Sequence, residues 1–296
     1  MRIGLIDVDG HNFPNLALMK LSAYHKAQGD EVEWCFPMYH YDIVYQAKVF
    51  DDTYSPDIDY VPNADRIIKG GTGYGLENKL PDEIEHIYPD YSLYPELTKD
   101  TAYGFLTRGC PRGCEFCVVA KKEGRKSYKV ADLDEFWRGQ KHIELLDPNI
   151  LACRDRLELL DQLIESKAIV NFNQGVDIRL TNEEVADKLN QMRIKRLHFA
   201  WDNPDEDLVP YFKRFTEAYK RKSSATKVCY VLTNFESTME QNLYRIYTLR
   251  DLGYDPYVMI YDKPNAPKEI KQLQRWVNNK FIFRKCEKFE DYKQGG

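Results

Sequence analysis

At 296 residues, with 42 Lys and Arg against 47 Asp and Glu, the chain carries a formal net charge of −5, so no global positive field draws it to nucleic acid. Hydrophobic residues make up 43% and charged residues 30%, and no apolar run reaches the roughly 18 residues of a membrane span, which excludes a helical membrane protein. The seven cysteines are odd in number and three are crowded together; this is not the paired framework of a secreted chain, and a reducing, cytoplasmic compartment is expected.

The start, MRIGLIDVDGHN, has only a short apolar stretch before its acids, unlike a secretory signal. Within it, RIGLIDV (residues 2–8) suits a buried parallel strand, and NLALMKLSAYHKAQG brings Leu16, Met19, Leu21 and Tyr24 near helical spacing before Gly29. EVEWCF alternates as a second strand. DIVYQAKVF and ADRIIKGG supply two more, the last running into Gly70, Gly71, Gly73 and Gly75. Residues 1–75 therefore read as a small Rossmann-like α/β domain. Residues 76–101 mix prolines, tyrosines and acids without sustained periodicity, and read as a linker that wraps over a surface.

From Tyr103 onward strand and helix alternate six times. The expected strands are GFLTRG, HIELL, IVNFN, KRLHFAW, KVCYVLT and PYVMIY. The helical stripes between them are core: Leu157, Leu160, Leu163 and Ile164, then Val185, Leu189 and Met192 after a Thr181–Glu184 capping box. Leu208, Phe212, Phe215 and Tyr219 mark the next. Ser237 and Glu240 cap a fifth helix that stops at Gly253, and Ile270, Leu273, Trp276 and Val277 mark the sixth. Six such units demand a parallel sheet, with chemistry in the loops at the strands' C-terminal ends. Cys35, Cys153, Cys229 and Cys286 stand singly and read as small buried apolar residues.

Cys110, Cys114 and Cys117, in CPRGCEFC, directly follow the first strand of that run. Three thiolates from one loop can hold three irons of a four-iron cluster and leave the fourth open. Zinc is the competitor, but it takes a fourth protein ligand. No CxxC or HxxxH pair follows, His142 is expected in a strand, and Cys153 is isolated.

On these residues the chain resembles the radical S-adenosylmethionine superfamily. The resemblance implies a partial (βα)6 barrel over residues 102–280, followed by a tail over residues 281–296. It also implies a 4Fe–4S cluster on Cys110, Cys114 and Cys117, with S-adenosylmethionine chelating the open iron through its amino and carboxylate groups. Reductive cleavage would then give a 5′-deoxyadenosyl radical that takes hydrogen from an unidentified substrate, with a flavodoxin or ferredoxin as reductant. By position, Phe116 matches the aromatic beside the adenine. Asp147 and Asn149, in LLDPN, stand where the family presents groups to the cofactor's amino group, although the Gly-Gly-Glu form is absent. Gln174, Asp177 and Arg179, in NQGVDIR, lie near the barrel mouth, where Arg179 pairs either with the cofactor's carboxylate or with Asp177. Asp202, Asn234 and Tyr261, at the ends of the fourth, fifth and sixth strands, complete the cofactor-binding candidates, beside Trp201 and Glu236.

The resemblance extends forward, to radical enzymes with an N-terminal cobalamin-binding-like domain. DGHNFP (residues 9–14) echoes the DxHxxG motif whose histidine coordinates cobalt, but Pro14 replaces the glycine and the middle Ser-x-Leu element is not visible. The expectation is therefore against cobalamin, with His11 a helix-entry residue and a cobalamin-dependent methyltransferase kept as an alternative. Gly70 and Gly71 either approach a bound tail closely or serve the turn after the strand. Transfer-RNA methylthiotransferases have a similar front but carry a second three-cysteine group there and a C-terminal RNA-binding barrel; the lone Cys35 and the short stretch after the sixth helix set this chain apart. KKEGRKSYK brings Lys121, Lys122, Arg125, Lys126 and Lys129 to the rim, either for a phosphate-bearing or nucleic-acid substrate or as a solvated loop. A non-catalytic iron–sulfur or nucleotide-binding adaptor is the remaining alternative.

Overall fold

The structure is a computed structural model and describes residues 1–10, 12–221 and 223–294. The first apolar run forms β1 (Arg2–Asp7), followed by α1 (Leu16–Ala27), whose cap Asn15 accepts the Leu18 N–H at 3.2 Å. β2 (Glu31–Trp34), β3 (Tyr41–Ala47) and β4 (Ala64–Gly70) complete a four-stranded parallel sheet in the order β2-β1-β3-β4. One face buries Ile3 and Leu5 against Leu18 and Met19 of α1, and the other buries Ile6, Tyr41 and Val44 with Cys35 and Ile58 from the loops. The glycines after β4 serve the chain's own turn. A Cβ on Gly71, at φ +96°, would lie 2.2 Å from the Lys48 carbonyl oxygen, and one on Gly73 would lie 2.2 Å from that of Phe50.

Residues 76–101 hold the two halves together through polar contacts, and include the short α2 (Asp82–Glu85) and α3 (Pro95–Thr98). Tyr94 donates to Asp7 at the end of β1 at 2.6 Å, and Asp90 accepts from Ser22 and Lys26 of α1 at 2.6 Å each. On the other side the Tyr91 hydroxyl donates to the Phe136 carbonyl at 2.6 Å and accepts the Tyr103 N–H at 3.1 Å.

The second sheet begins earlier than GFLTRG suggests, with β5 (Thr101–Gly104). The chain leaves the sheet after Gly104, which the Phe136 ring covers so closely that a Cβ there would meet it at 2.3 Å. Asp147 then takes the N–H groups of Leu106 and Thr107. The stretch expected to extend the strand instead forms β6 (Thr107–Arg108), paired antiparallel with β7 (Tyr128–Lys129). This ribbon encloses the cysteine loop and α4 (Val119–Lys122).

Beyond it the expected alternation holds. β8 (His142–Leu145), α5 (Arg156–Ser166), β9 (Ile169–Phe172), α6 (Glu183–Gln191) and β10 (Arg193–Ala200) lead to α7 (Val209–Ala218) and β11 (Lys227–Thr233). Then come α8 (Met239–Asp251), β12 (Asp255–Ile260), α9 (Lys268–Asn278), α10 (Lys280–Lys285) and α11 (Phe289–Gln294). The strands stand in the order β12-β11-β10-β9-β8-β5, all parallel, so each crossover moves one place along the sheet. The helical stripes bury Leu160, Val185, Phe212, Leu249 and Trp276 completely against one face of this sheet. Two caps sit one residue later than expected. Asn182, not Thr181, accepts the Val185 N–H at 3.0 Å, and Thr238, not Ser237, forms a capping box with Gln241. Asn182 and Thr238 both have the extended backbone that a cap requires, whereas Thr181, at ψ 71°, does not. Among the described residues no helix is long and apolar enough to cross a membrane.

Candidate active site

The cysteine loop projects from the β6–β7 ribbon and its stem is closed by one carboxylate. Glu123 pairs with Arg108 at 2.8 Å and accepts the Gly109 N–H at 2.9 Å, while the Cys110 N–H reaches the Gly124 carbonyl at 3.2 Å. Gly109, at φ +75°, has no room for a side chain, since a Cβ would lie 2.2 Å from the Lys126 carbonyl oxygen. Cys110, Cys114 and Cys117 are all half-buried and free. Burial pushes the Cys114 and Cys117 thiols up, and both feel Cys110 and Asp202 as further negative charges. Soft, neighbouring thiols from one loop suit an iron–sulfur cluster with one open iron. Among the described residues no three His, Cys, Asp or Glu side chains converge tightly enough to hold a single metal ion.

The segment after β8 supports this loop from beneath. Asp147 is buried, with one carboxylate oxygen accepting the Leu106 N–H at 3.1 Å and the other the Thr107 N–H and hydroxyl at 2.6 Å each. Burial pushes its carboxyl up to about 6 in spite of these donors. Asn149, two residues on and 4% exposed, turns its amide nitrogen to Cys110 Sγ at 3.7 Å. Its Oδ1 is buried without a hydrogen-bond partner. Asp147 thus holds the backbone that carries the loop, and Asn149 presents an unsatisfied acceptor beside the first cysteine.

The mouth of the sheet is drawn together by ion pairs. Arg179 binds Asp177 at 2.7 Å and Glu206 at 2.5 Å, and Glu206 also holds Arg112 of the cysteine loop at 2.6 Å. Arg179 therefore makes the strand-end pair with Asp177. Asp202, at the end of β10, accepts the Leu232 N–H at 3.2 Å, and burial pushes its carboxyl up to about 6. Asn234 and Glu236 hold left-handed backbone, at φ 63° and 46°, an uncommon state for such residues. Between them Phe235 lies edge-on to Phe116 at 5.5 Å and to Tyr261 at 4.9 Å. Asn234 ties this turn to the Tyr261 carbonyl at 2.8 Å. Gln174 is exposed and stands apart from these contacts. Of the rim cations, Lys122 donates to Thr72 at 2.5 Å and Lys129 pairs with Asp132 and Glu158 at 2.6 and 2.9 Å.

Sequence reasoning missed Glu123, Glu206 and Phe235, and above all Arg245. Its guanidinium is wholly buried and donates to the carbonyls of Trp201, Asp202 and Leu232 and to Asn242 Oδ1, at 2.6 to 3.0 Å. It pins the C-terminal ends of β10 and β11, which carry Asp202 and Asn234. The available signal was a charged residue on the apolar stripe of α8, beside Ile246 and Leu249.

The first helix begins at Leu16, while His11 lies outside the described residues. No protein-family model matches the chain, and no curated protein matches it. Solved structures do. The radical S-adenosylmethionine methyltransferase TsrM from Kitasatospora setae, with cobalamin and a 4Fe–4S cluster bound, superposes with a TM-score of 0.62 at 10% identity, covering 88% of this chain and 74% of that one. The same enzyme with tryptophan substrate and the analogue aza-SAM gives 0.63 at 11% identity, over 88% and 72%. At such identity the likeness establishes the fold alone, an α/β architecture of parallel-stranded sheets shared with that enzyme. It gives the expectation against cobalamin no support, because the matched enzyme holds that cofactor.

Proposed function

We propose that this chain is a radical S-adenosylmethionine enzyme, with Cys110, Cys114 and Cys117 holding a 4Fe–4S cluster. Residues 1–75 form its Rossmann-like front domain, 76–101 the linker, 102–280 the partial (βα)6 barrel and 281–296 the tail. When bound, the cluster and S-adenosylmethionine supply a one-electron cleavage that yields methionine and a 5′-deoxyadenosyl radical, the electron coming from a flavodoxin- or ferredoxin-type reductant. The chain's own groups bind and orient. The observation that carries the reading is Asn149, whose buried Oδ1 has no partner and whose Nδ2 lies 3.7 Å from Cys110 Sγ. An orphaned buried acceptor costs about 1–3 kcal/mol, and an amino group beside the open iron would satisfy it. Asp147 fixes the register of the loop, Glu123 closes its stem, and Phe116 with Phe235 and Tyr261 offers an aromatic surface for an adenine. The buried Asp202 carboxyl and Asn234 stand at the rim as further polar contacts.

The test is the reduced cluster's electron paramagnetic resonance spectrum, with and without S-adenosylmethionine. Chelation shifts the spectrum in the parent; Asn149→Leu keeps the cluster but weakens the shift by about tenfold in cofactor concentration, the value of one hydrogen bond to a charged group. An unshifted parent spectrum at saturating cofactor refutes the proposal.

A second reading, cobalamin-dependent methyl transfer, is favoured by the front sheet. Phe36, Val49 and Phe50, 48–55% exposed, follow the C-terminal ends of β2 and β3 and leave an apolar surface that a corrin face would cover. Cobalt content of protein produced with cobalamin decides it: about one cobalt per chain supports this reading, and none removes it.

A further inference from the structure

The second sheet has two unlike faces. The helices cover one. On the other, a staggered row runs from Glu144 on β8 and Asn171 on β9, through His198 on β10, to Tyr230 on β11 and Tyr257 on β12, with Arg196 of β10 directly opposite Asn171. Glu144 is directly opposite Asn171, and Tyr230 directly opposite Tyr257. None of the five belongs to the hydrophobic core beneath the helices. Polar groups at this depth in a sheet call for partners.

Their chemistry points one way. Asn171, 7% exposed, donates its Nδ2 to Glu144 Oε2 at 2.5 Å and to Asn173 Oδ1 at 3.3 Å. Two acceptors around that atom fix the orientation of the amide. Its Oδ1 is then left buried and unpartnered. His198, 6% exposed, is held 2.8 Å from the Phe172 carbonyl through Nδ1, so Nδ1 carries the proton and Nε2 is an acceptor. Burial lowers its pKa and keeps it neutral. The Glu144 carboxylate pairs with Lys195 at 3.5 Å, and Arg196 bears on both His198 and Tyr230, so charges of both signs border the row. The flanking surfaces are flat. Tyr230 stacks on His198 at 5.3 Å with planes 4° apart, and Tyr257 stands edge-on to Tyr230 at 5.9 Å. The row opens to solvent at the edge strand, where Tyr257 and Met259 are 38% and 45% exposed.

We infer that this row is a binding site for a planar ligand bearing N–H donors, such as an amidine or an N–H heterocycle. Asn171 Oδ1 and His198 Nε2 accept its hydrogens, and Tyr230 and Tyr257 take its faces. A phosphate-bearing group would set its own acceptors against these. As the substrate subsite, the row rests on the radical reading proposed above; as a binding site it does not.

The experiment titrates the full-length chain, with and without reconstituted cluster, with benzamidine, and with benzoate and phenyl phosphate as anions of similar shape. Benzamidine is expected to bind saturably in both forms and the anions at least tenfold more weakly. His198→Phe and Asn171→Leu are each expected to weaken benzamidine by about tenfold or more. Both positions are buried, so the parent itself supplies a second readout: the nitrogen-15 resonance of His198 Nε2 moves as benzamidine hydrogen-bonds to it. Anion binding equal to that of benzamidine, no saturable benzamidine binding, or an unmoved Nε2 resonance overturns the inference. Benzamidine binding by a chain that makes no 5′-deoxyadenosine would keep this site and remove the radical reading; the converse would do the reverse.

Discussion

Replacing Arg245 with Met removes the group that joins the two strand ends carrying Asp202 and Asn234, at little change in length. The two terminal nitrogens make four short hydrogen bonds, to three backbone carbonyls and Asn242 Oδ1, besides a longer one from Nε to the Gln241 carbonyl at 3.4 Å. Bonds from a charged donor contribute about 1.5–3 kcal/mol each, so the set contributes about 6–12 kcal/mol. Against this stands the cost of burying the charge, visible in a pKa pushed down by desolvation from the usual guanidinium range to about 10, and worth about 3 kcal/mol. The balance is a loss of at least about 3 kcal/mol, since three carbonyl oxygens are left buried. Urea denaturation of the cluster-free chain reads it as a lower midpoint. Arg245→Lys, which keeps the charge but presents fewer donors, falls between. An Arg245→Met variant within about 0.5 kcal/mol of the parent would refute the assignment of these bonds, for surface substitutions lie in that range.

Three further outcomes are expected. The Asp147 carboxyl is raised from 3.8 to about 6 by burial, so between these values the folded chain holds a proton that the unfolded chain has lost. This group therefore adds stability as pH falls through 6 toward 4 and withdraws it as pH rises; Asp147→Asn abolishes that component, worth up to about 3 kcal/mol, in denaturation curves compared across pH. Glu123→Gln keeps an acceptor for the Gly109 N–H but loses the ionic pair with Arg108, and reconstituted protein is expected to release iron several-fold faster to a chelator, with an unchanged thermal midpoint. Phe235→Ala removes the ring between Phe116 and Tyr261 and is expected to weaken S-adenosylmethionine binding by about tenfold, the equivalent of a lost aromatic contact, as read by calorimetry.

The strands were legible because buried parallel strands read as unbroken apolar runs, as KVCYVLT does at β11. The first strand of the second sheet was displaced because its end is set by Asp147, more than forty residues away, and by a ring lying on Gly104; no local pattern encodes either. The caps were misplaced by one residue because Thr181 and Ser237 are as good in type as their neighbours; for Thr181 it is the backbone conformation that decides against it. The cysteines were legible from spacing. Arg179, by contrast, presented two partners with equal claims, and Glu206, which completes its ion-pair network, comes from another loop. The row across the open face left a trace that went unread: Asn171 and His198 interrupt IVNF and KRLHFA at alternate positions, as a strand with one polar face does.

Formation of 5′-deoxyadenosine tests the central claim most directly. The chain, loaded with its cluster without oxygen, reduced and given S-adenosylmethionine, is expected to release 5′-deoxyadenosine, and the triple variant Cys110→Ala, Cys114→Ala, Cys117→Ala is expected to release none. Equal product from both, or none from a parent with a full cluster and bound cofactor when benzamidine or a lysate of small molecules is also supplied, would contradict the account.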